Sequence, residues 1–329
     1  MKILIIGYGS IGKRHISNIT KIGKIKIIIL TKRKKDGFLK KNNCNVYSKL
    51  EECLEENPDA AIICNETSLH VKIATKLAKN NIHIFIEKPL TNSLVGINQL
   101  KKSVKSNRII THVGCVLRFH PILKKTKEII ENKSLGKIKF LRVENGSYLP
   151  EWQSNRDYKK SYASRLDLGG GVVLTCIHEL DYLVWLFGKI NNVIAVNKII
   201  GGLGINVNDF SASILEFPNK IIVEMHLDFF QRDKNRFCKI IGEKGILEVN
   251  FEKNHIQVYN IKNKKWKILM KVKNFNKNCM YLDELKYFLK CVRNNKKSFN
   301  DINFGENVLK TALLMEKSSI KKKSLVNRM

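Results

Sequence analysis

The chain is 329 residues long, with 60 Lys and Arg against 29 Asp and Glu and a formal charge of +31. That length suits about two domains with substantial cores, and no apolar stretch approaches the ~20 residues of a membrane span. The cations are spread along the whole chain among many Asn and Ile, without a nucleic-acid motif, so the charge is read as a field that steers anionic ligands and not as a nucleic-acid footprint. Eight cysteines lie without C-x-x-C pairs or metal-ligand spacing, which implies reduced, mostly buried thiols, a soluble cytoplasmic protein and no metal site. Met1-Lys2 before Ile3 looks like the start of a signal peptide, but Gly7, Gly9 and Gly12 cut the apolar run short, and it reads as a first strand.

Apolar runs at 2–6, 26–30, 60–64, 82–86 and 109–114 read as buried strands, with helical patterns between them. Ser48-Lys49-Leu50-Glu51 reads as a capping box opening a helix that ends before Pro58, and 69–79 has amphipathic helical spacing. This alternation predicts an α/β fold with a doubly wound parallel sheet. Beyond it, 138–148, 193–200, 210–217, 221–229, 237–242 and 245–251 read as strands joined by short turns, a meander. Residues 281–292 and 305–317 look helical, and 321–329 read as a frayed end.

Gly7-Tyr8-Gly9-Ser10-Ile11-Gly12 falls at the first strand-to-helix turn, where missing Cβ atoms let the backbone approach a pyrophosphate at a helix N-terminus. The second strand ends Leu30-Thr31-Lys32-Arg33 with no acid to hold ribose hydroxyls. Thr31 and Arg33 therefore favour the 2′-phosphate of NADP over NAD, although the cations also belong to a Lys-rich background. The pattern switch near residue 120 makes 1–120 a dinucleotide-binding Rossmann domain and 121–329 a substrate-binding and oligomerisation domain, whose last helices are free to return to the first.

Glu87-Lys88-Pro89 follows the run 82–86 and places an amine at the carboxyl end of a parallel strand, where open α/β sheets bind ligands. Lysine there can hold, donate or accept a proton. With Gly7–Gly12, the stretch Ile63-Cys64-Asn65-Glu66-Thr67-Ser68-Leu69-His70, and Gly169-Gly170-Gly171 preceding His178 and Asp181, the chain resembles the Gfo/Idh/MocA family of NAD(P)-dependent oxidoreductases along almost its whole length. The resemblance implies a Rossmann domain followed by an α/β domain whose large, mostly antiparallel sheet often forms the oligomer interface, hence a homodimer or homotetramer. It also implies that Asn65, Thr67, His70, Glu87 and Lys88 serve the cofactor.

Within 169–181, Thr175, His178 and Asp181 recur every three residues, a spacing that puts neighbouring side chains on one helical face. His178 is the natural proton carrier and Lys88 its cationic partner. The family pattern has an Asp where this chain has Thr175, which supplies a hydroxyl but no carboxylate. Arg118, Tyr148, Trp152, Tyr162 and Asp181 are the remaining candidate substrate contacts, beside Lys88 and His178. The stretch 148–187 is similar to members associated with surface-polysaccharide and amino-sugar synthesis. The resemblance thus implies hydride transfer between nicotinamide and a hydroxyl or carbonyl of a sugar, phosphorylated or nucleotide-activated. The alternative is a dinucleotide-binding regulatory or assembly protein with weakened catalysis.

Overall fold

Isoleucine-rich runs without polar alternation suit strands covered on both faces, and such runs form the centre of a six-stranded parallel sheet. β1 (Lys2–Ile6), β2 (Lys26–Leu30), β3 (Cys44–Tyr47), β4 (Ala60–Ile63), β5 (His83–Glu87) and β6 (Thr111–Gly114) lie in the order β3-β2-β1-β4-β5-β6. All five pairings are parallel, with Ile5 opposite Ile29 on one side and Ile62 on the other. The crossovers carry α1 (Ser10–Ile22), α2 (Gly37–Lys41), α3 (Leu50–Glu55), α4 (His70–Lys79) and α5 (Ile97–Ser106). Strand order reverses between β1 and β4, which makes the carboxyl ends of these strands the switch point of a doubly wound sheet.

Two local expectations need correction here. β3 was not anticipated, because Cys44-Asn45-Val46-Tyr47 alternates polarity at a sheet edge and lacks an apolar run. The helix opening at residue 50 is capped one position later than the sequence motif indicates, since Glu52, not Glu51, accepts the Lys49 N–H at 3.1 Å.

The second half begins with α6 (Pro121–Glu131) and β7 (Ile138–Gly146), followed by two short helices, α7 (Val172–Thr175) and α8 (His178–Phe187). Then come β8 (Asn192–Lys198), β9 (Phe210–Phe217), β10 (Ile221–Asp228), β11 (Asn235–Gly242), β12 (Gly245–Asn250), β13 (His255–Asn260) and β14 (Lys265–Lys271). The chain closes with α9 (Asn278–Arg293), α10 (Ile302–Lys321) and β15 (Leu325–Val326). The second sheet runs β14-β13-β12-β11-β7-β10-β9-β8-β15. It is antiparallel except where β10 lies parallel to β7, so it is not the simple meander expected from short turns. β13 and β14 extend it beyond the strands read from sequence, and β15 pairs with β8 where a frayed end was expected.

The computed structural model describes residues 1–152 and 157–327, so the last two positions of that expected frayed end lie outside it. It divides into two units, Met1–Val116 with Lys277–Glu306, and Leu117–Asn276 with Asn307–Met329. In the first unit, α9 returns to bury Leu285, Phe288 and Leu289 against Ile3, Ile5, Ile19 and Phe85. Among the described residues no helix is long and apolar enough to cross a membrane, apart from the bent α7–α8 region, which passes only as a broken pair.

Candidate functional site

The glycine turn meets the steric demands of its motif. A Cβ on Gly12 would sit 2.2 Å from the Gly7 carbonyl oxygen, and one on Gly7, whose φ is +102°, would sit 2.8 Å from the Asn65 nitrogen. At Gly9, the residue preceding α1, a Cβ would meet nothing within 4 Å. The turn is thus tight behind and open in front, as a backbone cradle for phosphates at a helix N-terminus requires. Ser10 is exposed and Ile11 half-buried, whereas Tyr8 turns inward, with 5% of its surface exposed.

Tyr8 leads to an acid the sequence reading missed. Its hydroxyl donates to Asp36 at 2.8 Å, and its ring stands 6.4 Å from Phe38. Burial, and after it the Asp36 charge, pushes the phenol well above its ordinary value. Asp36 is exposed, caps α2 through the Leu39 N–H at 3.0 Å and lies 3.6 Å from Lys13. The Leu39 N–H and Tyr8 bonds hold its carboxyl below the usual range. The strand end itself holds no acid, and Asp36 comes beside the glycine turn because the loop folds residue 36 back against Tyr8. Thr31 accepts from the Arg33 backbone at 3.2 Å, and Arg33 itself is exposed.

β4 and β5 bring the other motif residues to the same edge as the turn. Parallel strands stand ~4.8 Å apart, so the ends of β1 and β5, separated by β4, lie about 10 Å apart. Asn65 follows β4, and its side-chain Oδ1 is buried with no hydrogen-bond partner among the described residues. Thr67 is buried. His70 is 1% exposed, and its ring nitrogens lie 3.0 Å from the Pro89 carbonyl and 3.1 Å from the Asn65 carbonyl. Burial lowers its pKa, and through these two contacts the ring pins the two loops together. Glu87 ends β5, Lys88 follows half-buried, and the Lys88–Pro89 bond is cis.

In the second unit the supposed single helix is two. Thr175 closes α7 and His178 opens α8, and the segments before and after the break diverge by 52°. The regular three-residue face therefore stops at the break. Thr175 is 4% exposed and His178 is half-buried. Gly170 is required because a Cβ there would come within 2.4 Å of the Tyr162 carbonyl.

Two buried ion pairs hold α8. Arg118 Nε and Nη2 donate to both oxygens of Asp181 at 2.8 and 2.7 Å, with the two residues 2% and 1% exposed. These candidate substrate contacts bind each other, which makes them supports of the helix. Glu179, fully buried, accepts from Arg236 Nε at 2.6 Å and from Asn145 at 3.2 Å. Sequence reading did not single out Glu179, Arg236 or Asn145, since nothing local marks positions far apart in the chain as partners. Trp152 is 41% exposed, donates to Ser147 at 3.0 Å and meets Phe229 edge-on at 5.4 Å. Arg232 lies 4.0 Å over the Tyr148 ring, and Tyr162 is exposed. The middle of the candidate substrate loop, residues 153–156, lies outside the described residues. No metal-holding group of His, Cys, Asp or Glu occurs among the described residues.

A glycine-cradled turn at the switch point of a parallel sheet defines an α/β protein of the dinucleotide-binding class. Residues 1–115 match the model described as "Oxidoreductase family, NAD-binding Rossmann fold", and residues 123–248 match "GFO/IDH/MocA C-terminal domain". The two matches are consecutive and together span most of the chain, which belongs to the Gfo/Idh/MocA family. Among curated proteins it is 28% identical to Myo-inositol 2-dehydrogenase of Thermotoga maritima over 57% of this chain and 55% of that one. It is 24% identical to scyllo-inositol 2-dehydrogenase (NAD(+)) of Bacillus subtilis over 90% of this chain and 87% of that one. The aligned stretch thus spans about half the length of the first relative and most of the second. Among solved structures, levoglucosan dehydrogenase in complex with NADH superposes with a TM-score of 0.89 at 17% identity, covering 100% of this chain and 99% of that one. This shares the fold.

Proposed function

We propose that the protein is an NAD(H)-dependent oxidoreductase acting on a hydroxyl or carbonyl of a polyol or sugar. The carrying observation is the placement of Lys88 at the end of β5, on the sheet edge that also bears the Gly7–Gly12 cradle. The residues fit a dinucleotide on structural grounds: the space before Gly9 is open, and the buried Asn65 Oδ1 awaits a donor. Gly9, Ser10 and Ile11 would hold the phosphates, and Asn65 and Glu87 would lie further along the edge. Bound nicotinamide supplies two-electron redox chemistry. Lys88 would direct its charge at the oxygen of the reacting carbon as charge develops there, and His178 keeps the proton-carrier role that the family resemblance implies. Asp36 supports NAD, because a carboxylate accepts from ribose hydroxyls and repels a 2′-phosphate. Thr31 and Arg33 support the NADP alternative.

Fluorescence titration with NADH and NADPH, followed by turnover assays on myo-inositol, scyllo-inositol and levoglucosan, tests the proposal. NADH binding with turnover of at least one compound is expected. Binding without turnover on this panel or on phosphorylated and nucleotide-linked sugars favours the second reading, a dinucleotide-binding regulatory or assembly protein. That reading is supported by Thr175 standing where the family pattern has Asp. The narrower assignment to phosphorylated or nucleotide-activated sugars in surface-polysaccharide or amino-sugar synthesis rests on the resemblance of the stretch 148–187, and the +31 charge, which attracts anionic substrates, supports the anionic part of it. It predicts a lower KM for the anionic compounds at low salt.

We further infer a homodimer or homotetramer joined through the outer face of the second sheet. Phe140, Ile194, Val196, Ile214 and Ile222 are 36–49% exposed there. Registers put Ile222 beside Phe140 and Ile214 beside Ile194, two apolar pairs on one face with Glu216 and Glu224 set between them across β9 and β10. Light scattering on Ile194→Lys and Ile214→Lys should report a smaller particle than the parent. Free cysteines throughout support a reducing, cytoplasmic location.

A further inference from the structure

His15 belongs to no motif used so far. It lies on α1, three positions after Gly12, and is fully buried. Its Nε2 stands 2.7 Å from Glu87 Oε1, and its ring meets Phe85 edge-on at 5.3 Å. The contact joins the helix that begins at the phosphate cradle to the last residue of β5, one position before Lys88. Nothing else about His15 is well satisfied, because its Nδ1 is buried with no hydrogen-bond partner among the described residues. A leucine would fill the same surroundings of Phe85 and neighbouring isoleucines without stranding a polar atom. The imidazole is therefore a poor choice for packing and a good one for gripping the Glu87 carboxylate.

The surroundings of Glu87 leave it little other freedom. A Cβ on Gly114 of β6 would already lie 3.4 Å from the Glu87 carboxyl carbon. On the α9 side, Arg14 stacks 4.3 Å over the Tyr281 ring, a residue that feels the charges of both Glu87 and Lys88. Glu87 is thus walled by β6 and gripped by α1, one residue before Lys88 in the chain.

We propose that His15 is a positioning residue for Lys88, fixing the Glu87 carboxylate so that the cofactor-cradling helix and the strand end presenting the lysine move as one body. The proposal deepens the functional reading above and rests on it for the role of Lys88. A glutamine at position 15 can still donate to Glu87, whereas a leucine cannot.

The test compares His15→Leu, His15→Gln and Ile19→Val, the last a buried control on α1 that leaves Glu87 untouched. For each variant, kcat and KM on the inositol that the parent turns over, NADH affinity and thermal midpoint are measured. Groups that orient reacting residues through hydrogen bonds change activity by about 10–100-fold when removed. His15→Leu should accordingly lower kcat about tenfold or more, with KM and NADH affinity within about threefold of the parent, while His15→Gln recovers most of the loss. Parental kcat in His15→Leu, no recovery in His15→Gln, or an equal kcat loss in Ile19→Val overturns the proposal. A second arm needs no turnover: the pH titration of Lys88 followed by NMR of methyl-labelled lysines, its signal assigned by loss in Lys88→Arg. A displaced Lys88 titration in His15→Leu supports positioning, and superimposable curves overturn it. If the parent turns over no compound, the functional reading falls while this arm still decides the role of His15.

Discussion

The two units present their functional side chains by different means. In the first, Gly7–Gly12, Asn65 and Lys88 hang from the ends of β1, β4 and β5, so a few consecutive residues and the sheet itself determine where they stand. In the second, α8 is held by ion pairs linking residues 63 and 57 positions apart, Arg118 with Asp181 and Arg236 with Glu179. Backbone geometry therefore carries one half and paired charge the other. The first should tolerate side-chain changes away from its turn, and the second should respond sharply to loss of one charge.

The largest effect expected is on the strand-end lysine. Lys88→Ala should lower turnover by about 100-fold or more, the scale of a lost acid–base or electrostatic group, with NADH affinity little changed. Parental turnover would remove Lys88 from the proposed chemistry. On the other side, Arg118→Met leaves the Asp181 carboxylate buried without its main partner, which should cost about 3–5 kcal/mol in urea unfolding. Combining it with Asp181→Leu should restore much of that loss, and a double variant no better than the single would show that charge pairing is not what secures α8. Gly12→Ala drives a Cβ into the Gly7 carbonyl and should cost roughly 1–3 kcal/mol together with NADH binding.

The smallest effects are pH-dependent and opposite in sign. Burial depresses the pKa of His70 in the first unit from 6.5, so the folded state binds fewer protons than the unfolded, and that contribution is lost as pH falls below about 6.5. In the second unit, the hydrogen bond to Asp228 at 2.8 Å raises the pKa of His226 from 6.5. Its stabilisation is present below about 6.5 and is lost as pH rises through the raised value. His70→Gln should flatten the acid side of the stability profile and His226→Asn the neutral side. Reversed slopes would contradict both assignments.

The same contrast explains what the sequence disclosed. The parallel sheet, the glycine cradle and the Glu87-Lys88-Pro89 strand end were legible because each rests on adjacent residues with fixed backbone consequences. Asp36 was missed because only the closure of the 31–36 loop against Tyr8 makes it a neighbour of the turn. His15 and Glu179 were missed because a polar residue on a helix looks like any other polar group until its partner is known. The three-residue spacing of Thr175 and His178 misled because periodicity assumes an unbroken helix, and the chain bends between them. Arg118 and Asp181 read as ligand contacts since an isolated sequence cannot distinguish a charge awaiting substrate from one already neutralised.

The placement of β7 carries a consequence for biosynthesis. β1 finds both of its partners, β2 and β4, within the first 63 residues. β7 is made early in its unit, yet its neighbours β10 and β11 are 221–228 and 235–242, so its two edges stay open while some 80 further residues emerge. Pairings of such long sequence separation form slowly, and an exposed strand edge is a template for other chains. During synthesis, β7 is the segment most in need of shielding from neighbouring nascent chains.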